Sequence, residues 1–205
     1  MARGNFSGAA DVLGRLADAK APGANAVPSL FARYNLGVAL VKSGDVARGS
    51  ALLDEIGRAP ADDEELRSVR DRANLALGVA ALQAQRADDA ARFLARVRLD
   101  SLHANKALLG FGWTAAAQQQ PAKALVAWTE LATRDASDPA VLEARLALPY
   151  AHAELGAHGP SLQGYEQAVS AFDSEHQRLD GSIAAIRAGQ LIDGLLALNP
   201  AGEMG

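Results

Sequence analysis

The chain repeats itself. Tyr34-Asn35-Leu36-Gly37-Val38-Ala39 runs through Lys42-Ser43-Gly44-Asp45 into Val46, Gly49, Leu53 and Ile56. Asn74-Leu75-Ala76-Leu77-Gly78-Val79 leads at the same offsets into Ala87, Ala90, Leu94 and Val97. Leu109-Gly110-Phe111-Gly112-Trp113 leads into Pro121, Ala124, Trp128 and Leu131, and a looser copy runs from Leu148-Pro149-Tyr150 to Gly156, Ser161, Tyr165 and Ala168. The matching positions Leu36, Leu77, Phe111 and Leu148 lie 41, 34 and 37 residues apart. A recurrence on this scale marks a stacked architecture, in which no single unit can bury its apolar face alone. Gly4, Phe6, Ala9, Leu13 and Leu16 supply the rear half of a further copy.

Each unit reads as two helices. Apolar residues recur at spacings of three and four, and alanine, the strongest helix former, fills about a fifth of the chain. Aromatic residues make up only 5% of it, and Val and Thr are not enriched as strands require. Gly37, Gly78 and Gly112 fall inside helices, where glycine costs about 1 kcal/mol relative to alanine. That cost is understandable where two helices cross too closely to admit a Cβ, with Gly49, Ala90, Ala124 and Ser161 supplying the other side. Gly44 and Gly156 turn the chain between antiparallel helices, while Gln85 and Gln119 stand where glycine is expected. Pro28, Pro139 and Pro160 mark helix starts, and Pro149 is expected to remove a hydrogen bond and kink its helix. The spacing predicts helices over 6–19, 28–43, 45–57, 63–84, 87–98, 103–118, 121–133, 139–155, 160–178 and 181–198. The run Asp62-Asp63-Glu64-Glu65 suits the positive end of a long helix, with an acidic recognition patch as the alternative.

The repeat resembles the tetratricopeptide repeat, through Tyr34-Asn35-Leu36-Gly37 and the turn Lys42-Ser43-Gly44-Asp45 above all. The resemblance spans about residues 4–170, with departures at Gln85, Gln119 and Pro149. It implies an all-α fold, a right-handed α-solenoid of antiparallel helix pairs forming one domain over 1–205. Its parts are a half unit at 4–19, units at 28–57, 63–98, 103–133 and 139–178, and a capping helix at 181–198. Ile183, Ile186, Leu191, Ile192, Leu195 and Leu196 would let that last helix seal the stack. The pattern opens and closes mid-repeat, which suggests a piece of a longer protein with Met1 as a supplied start.

Composition excludes several functions. There is no cysteine, hence no disulfide and no thiolate chemistry, and a net charge of −4 gives no electrostatic reason to seek nucleic acid or an anionic membrane. No apolar run approaches the roughly 18 residues of a membrane span. Four histidines show no ligand spacing, Gly110-Phe111-Gly112 lacks the third glycine and preceding strand of a dinucleotide loop, and no acid–base or nucleophile set can be named. No enzyme, metal or cofactor is expected.

The resemblance implies a protein or peptide partner held in a concave groove lined by the first helix of each pair. The inward residues would be Phe31, Tyr34, Val38 and Lys42, then Arg72, Leu75, Val79 and Gln83, then Lys106, Leu109 and Trp113, then Leu146, Tyr150 and Glu154. A subgroup of the family clamps a terminal carboxylate with Lys, Asn and Arg. The corresponding places here are Tyr34, Val38, Ala76, Lys106 and Gly110, of which only Lys106 matches. A hydrophobic or amphipathic segment suits this wall better, with Tyr34, Trp113 and Tyr150 as anchors. Alternatively those aromatics fill gaps between units, and the chain is a spacer arm whose groove holds its own residues. Ala and Arg usage points to a bacterium, where such repeats serve envelope assemblies; cytoplasm and periplasm both fit.

Overall fold

A computed structural model describes residues 5–18 and 26–190, with side-chain surroundings for 5–15 and 30–190. Among them are helices α1 (Phe6–Asp18), α2 (Ala26–Ser43), α3 (Val46–Arg58), α4 (Glu64–Gln83), α5 (Ala87–Leu94), α6 (Ala104–Ala117), α7 (Pro121–Ala132), α8 (Pro139–Glu154) and α9 (His158–Arg187), and no strand. Each helix packs on its chain neighbours, and α2, α4, α6 and α8 also touch in succession. This second row of contacts defines the curvature. The even-numbered helices crowd together on the inside of an α-solenoid, while their partners fan outward.

The crossings within each pair are tight. A Cβ on Gly37 would lie 2.8 Å from Leu53, and one on Gly49 would lie 2.6 Å from the Gly37 carbonyl oxygen and 2.7 Å from the Val41 side chain. In the next pairs a Cβ on Gly78 would strike Leu94, and one on Gly112 would strike the Trp128 indole. The neighbour of the helical glycine is therefore the large residue nine places beyond the turn; Ala90 and Ala124 are fully buried but are not what Gly78 and Gly112 meet most closely. In the fifth pair the arrangement inverts. Pro149 is buried within an unbroken α8, and the space for its ring comes from Gly164 on α9, where a Cβ would lie 3.0 Å away.

The turns share one geometry. Gln85 (φ 58°) and Gln119 (φ 56°) adopt the left-handed conformation, as do Gly44, Gly156 and Gly189. At Gln85 the amide donates to the Leu82 carbonyl and the Arg86 amide donates to that of Ala81; Gln119 and Gly156 repeat the pair of bonds. Tertiary packing thus imposes on two glutamines a conformation that costs about 1–2 kcal/mol for a residue bearing a Cβ.

One core spans Tyr34, Leu53, Ile56, Val69, Leu77 and Phe93, and a second surrounds Trp128, Leu131, Val141 and Ala144. Trp128 is fully buried, its indole N–H donating to the Leu109 carbonyl at 3.2 Å. Polar groups join the units too. Asp63 caps α4 by accepting from the Leu66 amide at 2.7 Å. Arg98 donates through Nε to the fully buried Asp71 at 2.8 Å and through its two terminal nitrogens to Glu64 at 3.0 and 2.8 Å. Its guanidinium is held charged, and the Glu64 carboxyl is held below its ordinary range, chiefly by that hydrogen bond. The acidic run therefore caps and clamps.

Three boundaries differ from the sequence expectation. The helix expected over 87–98 ends at Leu94, because the chain then tightens into turns that carry Arg98 to Asp71. The helices expected over 160–178 and 181–198 are not separate. α9 is continuous from His158 to Arg187, passing through Gly181, and the chain then turns at Gly189, inside the span expected to form the capping helix. Gly4, Leu191, Ile192, Leu195 and Leu196 lie outside the described residues, as do the surroundings of Leu16 and Pro28.

Replacing Trp128 with Ala is expected to lower unfolding stability by about 3–5 kcal/mol, because a large cavity opens between α6 and α8. Arg98→Leu, which leaves the Asp71 carboxylate buried without its partner, should cost about 3 kcal/mol. Gln85→Gly and Gln119→Gly should each stabilise by about 0.5–1 kcal/mol through relief of the left-handed strain. Urea denaturation of the four variants reads all these shifts.

Candidate functional site

The inner row of helices leaves a hollow of about 740 Å³ between α2, α4 and the start of α6. Helical spacing explains its lining. Val38 and Lys42 sit four apart on α2; Arg72, Leu75, Val79 and Gln83 follow at three and four on α4. Both sets face away from the outer helices. Val38 and Leu75 are half-buried and Val79 is 39% exposed, so the floor is apolar and reachable. Around it stand Lys42, Arg72, His103 and Lys106, and no carboxylate lines the hollow among the described residues.

The cations are partly organised by aromatic rings. The Arg72 guanidinium lies 4.9 Å from the centre of the Tyr34 ring and the Lys42 ammonium 5.1 Å from that of Phe6. Tyr34 lines the hollow yet is only 7% exposed, so it serves the core as much as the surface. Phe31 packs, half-buried, against the first core.

The remaining inward residues form a second group. Leu109 and Trp113 pack against the second core, with the Trp113 ring edge-on to Trp128 at 4.9 Å and tilted to Tyr150 at 6.2 Å. The Trp113 indole N–H donates to Glu143 on α8 at 2.8 Å, tying one unit to the next. Tyr150 is 36% exposed, and Leu146 and Glu154 are exposed beside it. The sequence-derived list thus falls into two places: a cation-rimmed hollow at units two and three, and an aromatic seam at units four and five.

His103 is the residue that sequence reasoning missed. It lies just before α6, and no helical periodicity points there, because the intervening turn sets its direction. Its imidazole is pushed below the ordinary value by burial first and then by the neighbouring Arg72, with Lys106 adding to the effect and Asp71 opposing it. At neutral pH it is therefore uncharged, and the fixed positive charges of the rim are Lys42, Arg72 and Lys106. Among the described residues no group of three or more His, Asp or Glu could hold a metal ion, and no helix is long and apolar enough to cross a membrane.

His103 should titrate, by NMR of its ring protons, with a midpoint below about 6.5, and Arg72→Ala should move that midpoint upward. Because the folded form takes up this proton less readily than the unfolded chain, its contribution to stability is complete above about pH 6.5 and declines as the pH falls toward the folded midpoint.

No family model and no curated protein sequence matches the chain. Solved structures do match its fold. The MamA RS-1 ArsTM double mutant superposes with a TM-score of 0.64 at 17% identity, over 84% of this chain and 88% of that one. MamA AMB-1 gives 0.62 at 20% identity, over 82% and 90%. A kinesin light chain protein of Podosopora anserina with nearly identical TPR-like repeats gives 0.59 at 16% identity, over 84% and 89%. With its helix pairs, its left-handed turns and an inner row of first helices, the chain has the tetratricopeptide-repeat fold.

Proposed function

We propose that the protein is an interaction scaffold that holds an amphipathic segment of a protein partner in the hollow between α2, α4 and α6. One observation carries this: an apolar floor of Val38, Leu75 and Val79 lies within a rim of Lys42, Arg72 and Lys106, with no acidic side chain lining the hollow among the described residues. A partner segment that sets apolar side chains on the floor and a carboxylate against the rim meets both features. The positive rim on a chain of net charge −4 also gives such a segment a preferred place and orientation. The role is binding rather than catalysis, and a place within a larger bacterial assembly accords with it.

The aromatic seam favours a second role for the other half of the molecule. The Trp113 N–H is taken by Glu143 and its ring by Trp128, so this part stiffens the junction between units as a spacer arm would.

Selection of a displayed random-peptide library on the intact protein tests the proposal. Enriched peptides should combine apolar residues with Asp or Glu, and Arg72→Glu with Lys106→Glu should weaken them at least tenfold, about 1.4 kcal/mol. Trp113→Ala should leave their affinity within about twofold. Peptides that bind the charge-reversed protein equally well would overturn the assignment.

A further inference from the structure

Every Leu, Ile, Val, Phe and Tyr of α9 stands on one line, and every one is exposed. Leu162, Tyr165, Val169 and Phe172 on its first half, and Leu179, Ile183 and Ile186 on its second, are 39–64% exposed. With His176 between Phe172 and Leu179, the step alternates strictly between three and four residues from Leu162 to Ile186. α9 meets α8 elsewhere, through Ser161, Gly164 and Ala168, because the crossing that seats Pro149 against Gly164 needs small residues. The packing of the fifth pair therefore leaves this line unused.

The period says what shape fits. A row repeating every 3.5 residues on a helix of 3.6 residues per turn drifts by about 20° per heptad, so a second helix stays on it only by winding with it. The row is about 36 Å long at the α-helical rise. Its edges say what charge fits. Glu166, Asp173 and Asp180 follow seam residues at four places along one edge, with Arg187 at the end, and Glu175 lies on the other, accepting from Arg178 at 2.7 Å. A second copy meets this edge badly. Laid parallel, Glu175 would face Asp180 of the other copy; laid antiparallel with the seams in full register, Asp173 would face Asp173 and Asp180.

We propose that the exposed line of α9 docks one long amphipathic helix of a partner protein, with apolar residues at the same alternating spacing and Lys or Arg along its edges, the two winding into a left-handed coiled coil. The carboxylate edge of α9 supplies the charge complement and disfavours self-pairing. His176, with Asp180 3.7 Å from its imidazole, is the one polar member of the seam. It calls for a polar residue opposite and so fixes the register of the pair. The surface is separate from the hollow between α2, α4 and α6, to which α9 contributes no residue, so the two readings stand or fall independently.

The test takes the full chain and three synthetic peptides of about four heptads: one with Leu at the seam positions and Lys along the edges, one with Glu along the edges, and a shuffled version of the first. Fluorescence anisotropy should show the Lys-edged helix binding at least tenfold more tightly than either of the others. Phe172→Glu with Ile183→Glu, both at exposed positions, should weaken it at least tenfold, while Arg72→Glu with Lys106→Glu should leave it within about twofold. Asp173→Lys with Asp180→Lys should turn the preference toward the Glu-edged helix, a reversal that a folding defect cannot produce. Equal binding of the Lys-edged and shuffled peptides would overturn the proposal. So would no binding at about 100 μM, as when the chain's own residues fill the face, or a dimer in sedimentation that the Phe172 and Ile183 substitutions separate.

Discussion

Everything in this structure depends on how closely the two helices of a pair approach. Where Gly37 meets Gly49 and Leu53, the backbones are in contact and there is no room for another carbon. Where Gly78 meets Leu94 and Gly112 meets Trp128, a large side chain fills the depression that the missing Cβ leaves. The close approach sets the angle within each pair, and repetition of that angle makes the row of inner helices converge. Each helical glycine sacrifices helix propensity, and packing returns more than is lost, since a fully buried large apolar side chain contributes about 1.5–3 kcal/mol.

Convergence of the inner row produces the hollow. Val38, Leu75 and Val79 face it because the outer helices have taken the opposite sides of α2 and α4, so their exposure follows from the stack and not from any local preference. The charges at the rim then act over an apolar surface with limited access to water. The depressed basicity of His103 is the readable sign of that setting: burial is its first cause and Arg72 its second. Units four and five follow another course. There Trp113 turns toward Trp128 and Glu143, with Tyr150 tilted against its ring, and the inner wall becomes a joint between units.

The clamp of Arg98 on Asp71 and Glu64 explains how the irregular units stay in line. The second-to-third spacing of 41 residues accommodates a long α4, and the short α5 that follows would leave its partner loosely held. One guanidinium, reaching both a buried and an exposed carboxylate on α4, fastens the chain after α5 to the helix before it. The same local chemistry shortens α5 relative to its periodic pattern, since the residues after Leu94 leave the helix to deliver Arg98.

The sequence alone determined the all-α fold, the helix pairs up to α8 and the helical glycines at the tight crossings, because periodicity and the placement of glycine are local signals that survive without coordinates. The resemblance to the repeat also led to an expected inner wall, from Val38 and Lys42 to Trp113 and Tyr150, one register carried along successive helices. Tertiary structure alone decided that these residues divide into a hollow and a seam, that His103 joins the hollow, and that Arg98 reaches Asp71, for those depend on side chains many residues apart meeting in space. It also decided that α9 continues through Gly181 to Arg187 and that the chain turns at Gly189. A glycine in a helix and a glycine in a turn look alike in a sequence; they differ in the sign of φ, and the surrounding packing chooses it.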